Sequence, residues 1–190
     1  MIRRIANLLI VCLAVAICYG LQTTKPHYAE LTGPIPVRAG MADIAEARTF
    51  AIRIDKITFA RAIVADQFGQ QKRLTTSGIW AVVSADLSAG SRPAQIGEAV
   101  WRGSTGLKYR LTERLSFHSG LPPYVVGPGL PKNGLFVFEI PPGEVRGATL
   151  LVSSTRFPRL DSRVEIQLDD LPIGEDGGPS NVLDVYDLTM

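Results

Sequence analysis

Arg163-Val164-Glu165-Ile166-Gln167-Leu168-Asp169 sets three aliphatic side chains between four polar ones in unbroken alternation. That is the period of a β-strand with one face buried and the other in water. Upstream the same period recurs. Phe50, Ile52 and Ile54 alternate with Ala51, Arg53 and Asp55, and Leu107, Tyr109 and Leu111 alternate with Lys108, Arg110 and Thr112. In residues 135–140, Phe136, Phe138 and Ile140 share one face, with Val137 and Glu139 on the other. Residues 79–87 differ in being apolar on both parities, with Trp80 and Val82 on one and Ala81, Val83 and Ala85 on the other. A strand covered on both faces reads this way.

With residues 149–153 and a shorter stretch at 99–101, the count is about seven strands. The 18 glycines and 13 prolines punctuate them, and no long amphipathic helix lies between. This pattern predicts an all-β, antiparallel, immunoglobulin-like sandwich, with a small barrel as the alternative. After Asp55 the apolar parity changes, because Ile57 and Phe59 continue on the opposite phase. Either a bulge or a strand that passes from one sheet to the other would produce that shift.

Location is read from the N-terminus. Arg3 and Arg4 precede residues 5–21, where Asn7 is the only strongly polar side chain, and Gln22 to Pro26 end the run. A helix of that length spans roughly 25 Å, enough for a short membrane anchor or a signal peptide. Cys18-Tyr19-Gly20 offers a small-x-small cleavage site, but the uncleaved anchor is the favoured reading. The paired arginines hold the N-terminus in the cytoplasm and send the body outward. The expected organisation is a signal anchor or signal peptide at 1–22, a tether at 23–48 with a helical turn within 41–47, a sandwich at 49–170, and an acidic tail at 171–190. The expected location is the inner membrane, single-pass, with the body facing the periplasm or exterior, or secretion if the signal is cleaved.

Cys12 and Cys18, the only cysteines, both fall in the apolar stretch. The body therefore has neither a disulfide framework nor a thiolate metal site. Neither is a lipoprotein acceptor, because Val11 and Ile17 stand where a small residue should precede the modified cysteine.

Residues 128–141, Pro-Gly-Leu-Pro-Lys-Asn-Gly-Leu-Phe-Val-Phe-Glu-Ile-Pro, resemble the late strand of an uncharacterised immunoglobulin-like extracellular domain family. That family occurs in bacterial lipoproteins and membrane-anchored proteins. Residues 50–59 are similar to its opening strand, 80–87 to its second and 150–168 to its closing pair. The resemblance implies a sandwich outside the cytoplasm over roughly residues 49–170. It carries no catalytic residue.

No constellation specifying a reaction is present. His27 and His118 are isolated, and there is no G-x-S-x-G elbow, P-loop or G-x-G-x-x-G loop. Ser116 and Ser119 beside His118 are loop neighbours, a poor geometry for a nucleophile and its base. Asp169-Asp170 and Glu175-Asp176 lack the ligand spacing of a calcium loop. No catalytic, cofactor-binding or metal-ligating set is therefore expected, and no cofactor.

Charge gives the one positional clue. The net +2 equals Arg3 and Arg4, so the rest of the chain balances and bulk charge predicts no nucleic-acid partner. Within that balance, residues 25–163 carry 18 basic and 11 acidic side chains, whereas 164–190 carry seven acidic and no Lys or Arg. Lys108, Arg110 and, if the strand continues, Arg114 turn outward as a basic strip. That strip is either a solvated strand face or a site for the acidic tail or an anionic envelope group. The functional expectation is a non-enzymatic envelope module that binds or scaffolds another envelope component, tethered to the membrane by its helix and engaging an envelope protein partner. The alternatives are a solute- or glycan-binding domain using Trp101 and Tyr124, or an envelope hydrolase or transferase built from loops within 116–133.

Overall fold

The computed structural model describes residues 2–23, 33–67, 69–115, 120–155, 161–175 and 177–189. It divides into two compact units, Met1–Gly33 and Pro34–Met190.

The first unit contains α1, Ile2–Thr23, and every described side chain on it is exposed. From Arg3 to Thr23 it is long and apolar enough to cross a membrane, a property that a secretion signal shares. Its length and apolar composition fit a signal or an anchor.

Among its described residues the second unit holds twelve strands. They are β1 (Ile35–Ala39), β2 (Ala45–Glu46), β3 (Phe50–Gln67), β4 (Gln70–Ala89), β5 (Ala94–Ile96) and β6 (Glu98–Arg102), followed by β7 (Lys108–Arg110), β8 (Tyr124–Val126), β9 (Lys132–Ile140), β10 (Thr149–Ser153), β11 (Ser162–Gln167) and β12 (Val182–Asp187). One sheet runs β1-β11-β10-β6-β7 and the other β12-β3-β4-β9, with β2 alongside β3 and β5 paired to β8. Between the two sheets, Ile52, Phe59, Val83, Leu87, Phe136 and Phe138 meet Ala99, Trp101, Leu150, Val152, Val164 and Ile166 in one buried cluster. Trp101 lies 6.2 Å from Phe59 and 6.0 Å from Phe138 between ring centres, and its Nε1 donates to the Glu144 carbonyl at 2.9 Å.

The all-β sandwich and the inward face of residues 135–140 agree with the alternation. The apolar character of β4 on both parities has a structural cause. Its outer face, with Trp80 and Val82, is covered by a second cluster containing Ile63, Val137, Leu115 and Leu188.

Several expectations are corrected. The sandwich is not purely antiparallel, because β1 lies parallel to β11 and β12 parallel to β3. The compact body starts at Pro34 rather than 49 and takes in the acidic tail, since Leu171 and Leu188 are both buried. The tether contributes β1, whose Val37 and Ala39 pack against the core. Residues 41–47 form a turn and β2 instead of a helical turn. Asp43 Oδ2 accepts the Gly40 N–H at 2.9 Å, and this local bond competes with helix. The parity change near Asp55 is a bulge between Ile54 and Lys56, and β3 stays in one sheet throughout. Leu107 is 58% exposed, because β7 starts only after a turn closed by Gly103 N–H donating to the Leu107 carbonyl at 2.9 Å.

Tyr124 anchors β9 from the side. Its hydroxyl accepts the Leu135 N–H at 2.6 Å and lies 2.7 Å from both the Gly120 and Leu135 carbonyl oxygens, which compete for its single proton. Gly134 makes room for this ring, since a Cβ there would sit 2.8 Å from Tyr124 Cε2. Tyr124→Phe should cost about 1–3 kcal/mol in denaturant unfolding, the loss from stranding buried backbone groups. Burial, partly opposed by the Leu135 N–H, pushes the phenol up to about 12. A folded-state value above the usual one near 10 means that this stability is complete below pH about 10 and is lost as pH rises through the folded value. Wild-type stability should therefore fall more steeply than that of Tyr124→Phe in alkaline unfolding curves. Parallel curves would show that the phenol does not titrate with folding.

Candidate anion-binding site

The outer face of the β1-β11-β10-β6-β7 sheet is built by strand alternation. Where one parity of β6, β10 and β11 points into the core, the other turns out Glu98, Val100 and Arg102, then Thr149, Leu151 and Ser153, then Arg163, Glu165 and Gln167. Register aligns these positions in rows. Arg110, Val100, Leu151 and Glu165 stand side by side, as do Lys108, Arg102, Thr149 and Gln167. A cavity of about 360 Å³ opens on this face. Val100 and Leu151, both buried, form its floor, Lys108, Arg110 and Arg163 supply positive charge, and Glu98 places one carboxylate on its lining. At one end Ser153 Oγ donates to Glu98 Oε2 at 3.3 Å.

The charges on this face are not equivalent. Arg163 Nε donates to Glu165 at 3.2 Å, and Arg102 stands 3.9 Å from the same buried carboxylate while donating to Thr149 Oγ1 at 3.2 Å. A carboxylate held between two guanidiniums is compensated. Lys108 and Arg110, both exposed, form no ion pair among the described residues. Two positions apart on one strand, they sit about 7 Å from each other along it. Lysine brings a compact ammonium and arginine a planar fork of donors. Around an apolar floor, such a pair suits a phosphate or carboxylate whose carrier has apolar surface.

Of the expected strip, then, the structure brings Lys108 and Arg110 together and leaves out Arg114. Beyond Leu111 the chain crosses to the other sheet, where Leu111 bridges to Phe138 and the Thr112 N–H donates to the Val137 carbonyl at 3.0 Å. Arg114 follows in a short 3-10 turn, Glu113–Leu115. Its guanidinium sits 5.2 Å above the Trp80 ring and donates to the Thr75 carbonyl at 2.8 Å and to Glu139 at 3.1 Å. Strand parity could not be carried through that turn. Arg163 joins the cations instead. Its signal was the alternation of its own strand, but pairing through β10 is what brings it to Lys108 and Arg110.

The acidic tail does not cover the cations. β12 flanks β3 in the other sheet, at the opposite edge from β9, the strand to which β7 runs close. Nor do Trp101 and Tyr124 form an aromatic surface, since both rings are buried. Asp169 and Asp170 are exposed in a turn, and no group of three or more His, Cys, Asp or Glu side chains positioned to hold a metal occurs among the described residues. His27, Ser116, His118, Ser119 and Asp176 lie outside the described residues.

No protein-family model matches this chain, and no curated protein does. Solved structures with a similar course exist. The yjhA protein from Bacillus subtilis is 11% identical with a TM-score of 0.49, covering 67% of this chain and 98% of its own. A secreted protein from Mycobacterium tuberculosis is 10% identical with a TM-score of 0.48, covering 70% and 97%. An uncharacterised β-sandwich protein from Clostridium difficile 630 is 14% identical with a TM-score of 0.40, covering 72% and 96%. The likeness is one of overall chain course and transfers no residue, ligand or activity.

Proposed function

We propose that this chain is a non-enzymatic module of the bacterial cell envelope, held at the inner membrane by α1 with its sandwich on the periplasmic or outer side. There it binds an anionic envelope component through the cleft on the outer face of its first sheet. Arg3 and Arg4 ahead of an apolar α1 support the location and orientation. The observation that carries the binding reading is the pair of cations, Lys108 and Arg110, that form no ion pair among the described residues and stand above the buried floor of Val100 and Leu151. Membrane-associated phosphates fit this chemistry, with each nearby cation contributing about 1 kcal/mol.

The test is co-sedimentation of the sandwich unit, residues 34–190, with vesicles of anionic or neutral lipid. Binding should favour anionic vesicles and weaken as salt shortens the Debye length to about 8 Å. Replacing Lys108 and Arg110 together with Gln should weaken it roughly thirtyfold, the equivalent of about 2 kcal/mol from two cations. Arg114→Gln should leave binding unchanged, because that side chain is already held by Glu139 and Trp80. Equal binding to both lipids, or indifference to salt, would reject the cleft as an anion site.

A further inference from the structure

The two sheets do not end alike. On one side β7 and β9 approach each other, and Leu111 and Thr112 bond to β9 residues and close the gap. On the other side β1 and β12 are outermost. In β1 the Ile35 N–H donates to the Asp161 carbonyl at 3.3 Å, so Ile35, Val37 and Ala39 aim their backbone groups at β11. Pro36 and Arg38 face the open side. Pro36 has no N–H to offer and Arg38 is charged, both established ways of blunting a sheet edge.

β12 has no proline, and its own charges, Asp184 and Asp187, are both acidic. The Leu188 N–H donates to the Val64 carbonyl at 2.9 Å, which fixes the phase. From Val185 onward even-numbered positions face β3, and Val185 and Asp187 turn their N–H and C=O groups outward; the ladder skips Asp184 and Arg61. Val182-Leu183-Asp184-Val185-Tyr186-Asp187 contains no proline, glycine or lysine and is rich in strand-forming residues. Leu183 is 42% exposed and Val185 37%. The charge here is of one sign. Asp184 is 93% exposed and among the described residues has only Arg61, itself 75% exposed, at 4.0 Å, and no Lys or Arg occurs after Arg163. So open an ion pair is mostly screened.

We propose that β12 is a docking edge that takes an extended, lysine- or arginine-bearing segment of another envelope protein as an added strand. The backbone groups of Val185 and Asp187 supply the ladder, the exposed Leu183 and Val185 side chains supply apolar contact, and Asp184 and Asp187 select basic side chains. Charge disfavours a second copy of this chain as the occupant, because two β12 strands would bring four aspartates onto one edge. This surface is separate from the cationic cleft, and either can fail without the other.

The test uses the full chain in detergent and a short synthetic peptide alternating lysine with valine. Amide hydrogen exchange is read at single residues, and affinity by fluorescence anisotropy. The expected result is slowed exchange at Val185 and Asp187, with at least about tenfold weaker binding of a glutamate–valine peptide, the equivalent of about 1.4 kcal/mol. A lysine–valine peptide N-methylated at alternate residues should not bind. Val185→Pro removes one outward donor while sparing the bonds to β3, so binding should be lost while the Leu188 amide stays protected. Asp184→Lys with Asp187→Lys should reverse the preference toward the glutamate peptide. Equal affinity for the two peptides, undiminished binding of the N-methylated peptide, or protection elsewhere would overturn the proposal. So would a dimer in sedimentation that Val185→Pro dissociates, since the edge would then belong to a second copy.

Discussion

Phe138→Ala is expected to destabilise the sandwich by about 3–5 kcal/mol, the range for deleting a fully buried aromatic side chain. Its neighbour Glu139→Ala is expected to cost about 1 kcal/mol. Phe138 has no exposure and packs 6.0 Å from Trp101, so its removal leaves a cavity between two paired sheets that cannot collapse without breaking their ladders. Glu139, one position on and pointing the other way, is part-exposed and holds Thr112 Oγ1 at 2.9 Å and Arg114 at 3.1 Å. Urea unfolding of residues 34–190 separates the two through the midpoint at unchanged slope. Comparable losses would mean that β9 presents its faces differently in solution.

Trp101→Ala should be as costly, about 3–5 kcal/mol, and the two tryptophans should then part company when each is changed to Phe. Trp101 Nε1 donates to the buried Glu144 carbonyl, so Trp101→Phe strands an acceptor and should lose a further 1–3 kcal/mol, roughly, beyond the packing. Trp80 Nε1 is buried without a hydrogen-bond partner among the described residues, so Trp80→Phe removes an uncompensated polar group and should be close to neutral. Because Trp101 and Phe138 touch, the double Ala variant should cost less than the sum of its parts. Equal effects of the two Trp→Phe changes would show that the indole N–H of Trp101 contributes nothing.

The features legible in the sequence were those written in local periodicity. Alternation in residues 163–169 and 135–140 found the buried faces of β11 and β9, and the apolar character of 79–87 on both parities found the strand covered on both sides. β1 and β12 were not legible, because parallel pairing between distant segments leaves no local mark and Pro36 argues against a strand until its edge position is known. The cleft was half legible. Alternation turned Lys108 and Arg110 outward correctly, but extending the same parity to Arg114 ignored the turn that carries the chain to the other sheet. Arg163 could be recruited only by register through an intervening strand. Trp101 beside Arg102 resembled a surface aromatic, and only the pairing of β6 between β10 and β7 places its ring inside.

The parallel partnerships at the two ends of the body govern the order in which it can form. Val37 waits for Val164, and Phe59 for Val182, so neither sheet reaches its full width until nearly the last residues are available. The β3–β4 hairpin can form early from neighbouring residues, but the strands that complete the sheets require closure of loops spanning most of the chain. Such topologies fold slowly. A body emerging from a membrane N-terminus first would pass through an interval with β3 uncovered along one side, when association with other chains competes with completion. The twenty residues that look like a dispensable acidic appendage are thus the segment whose arrival ends that interval.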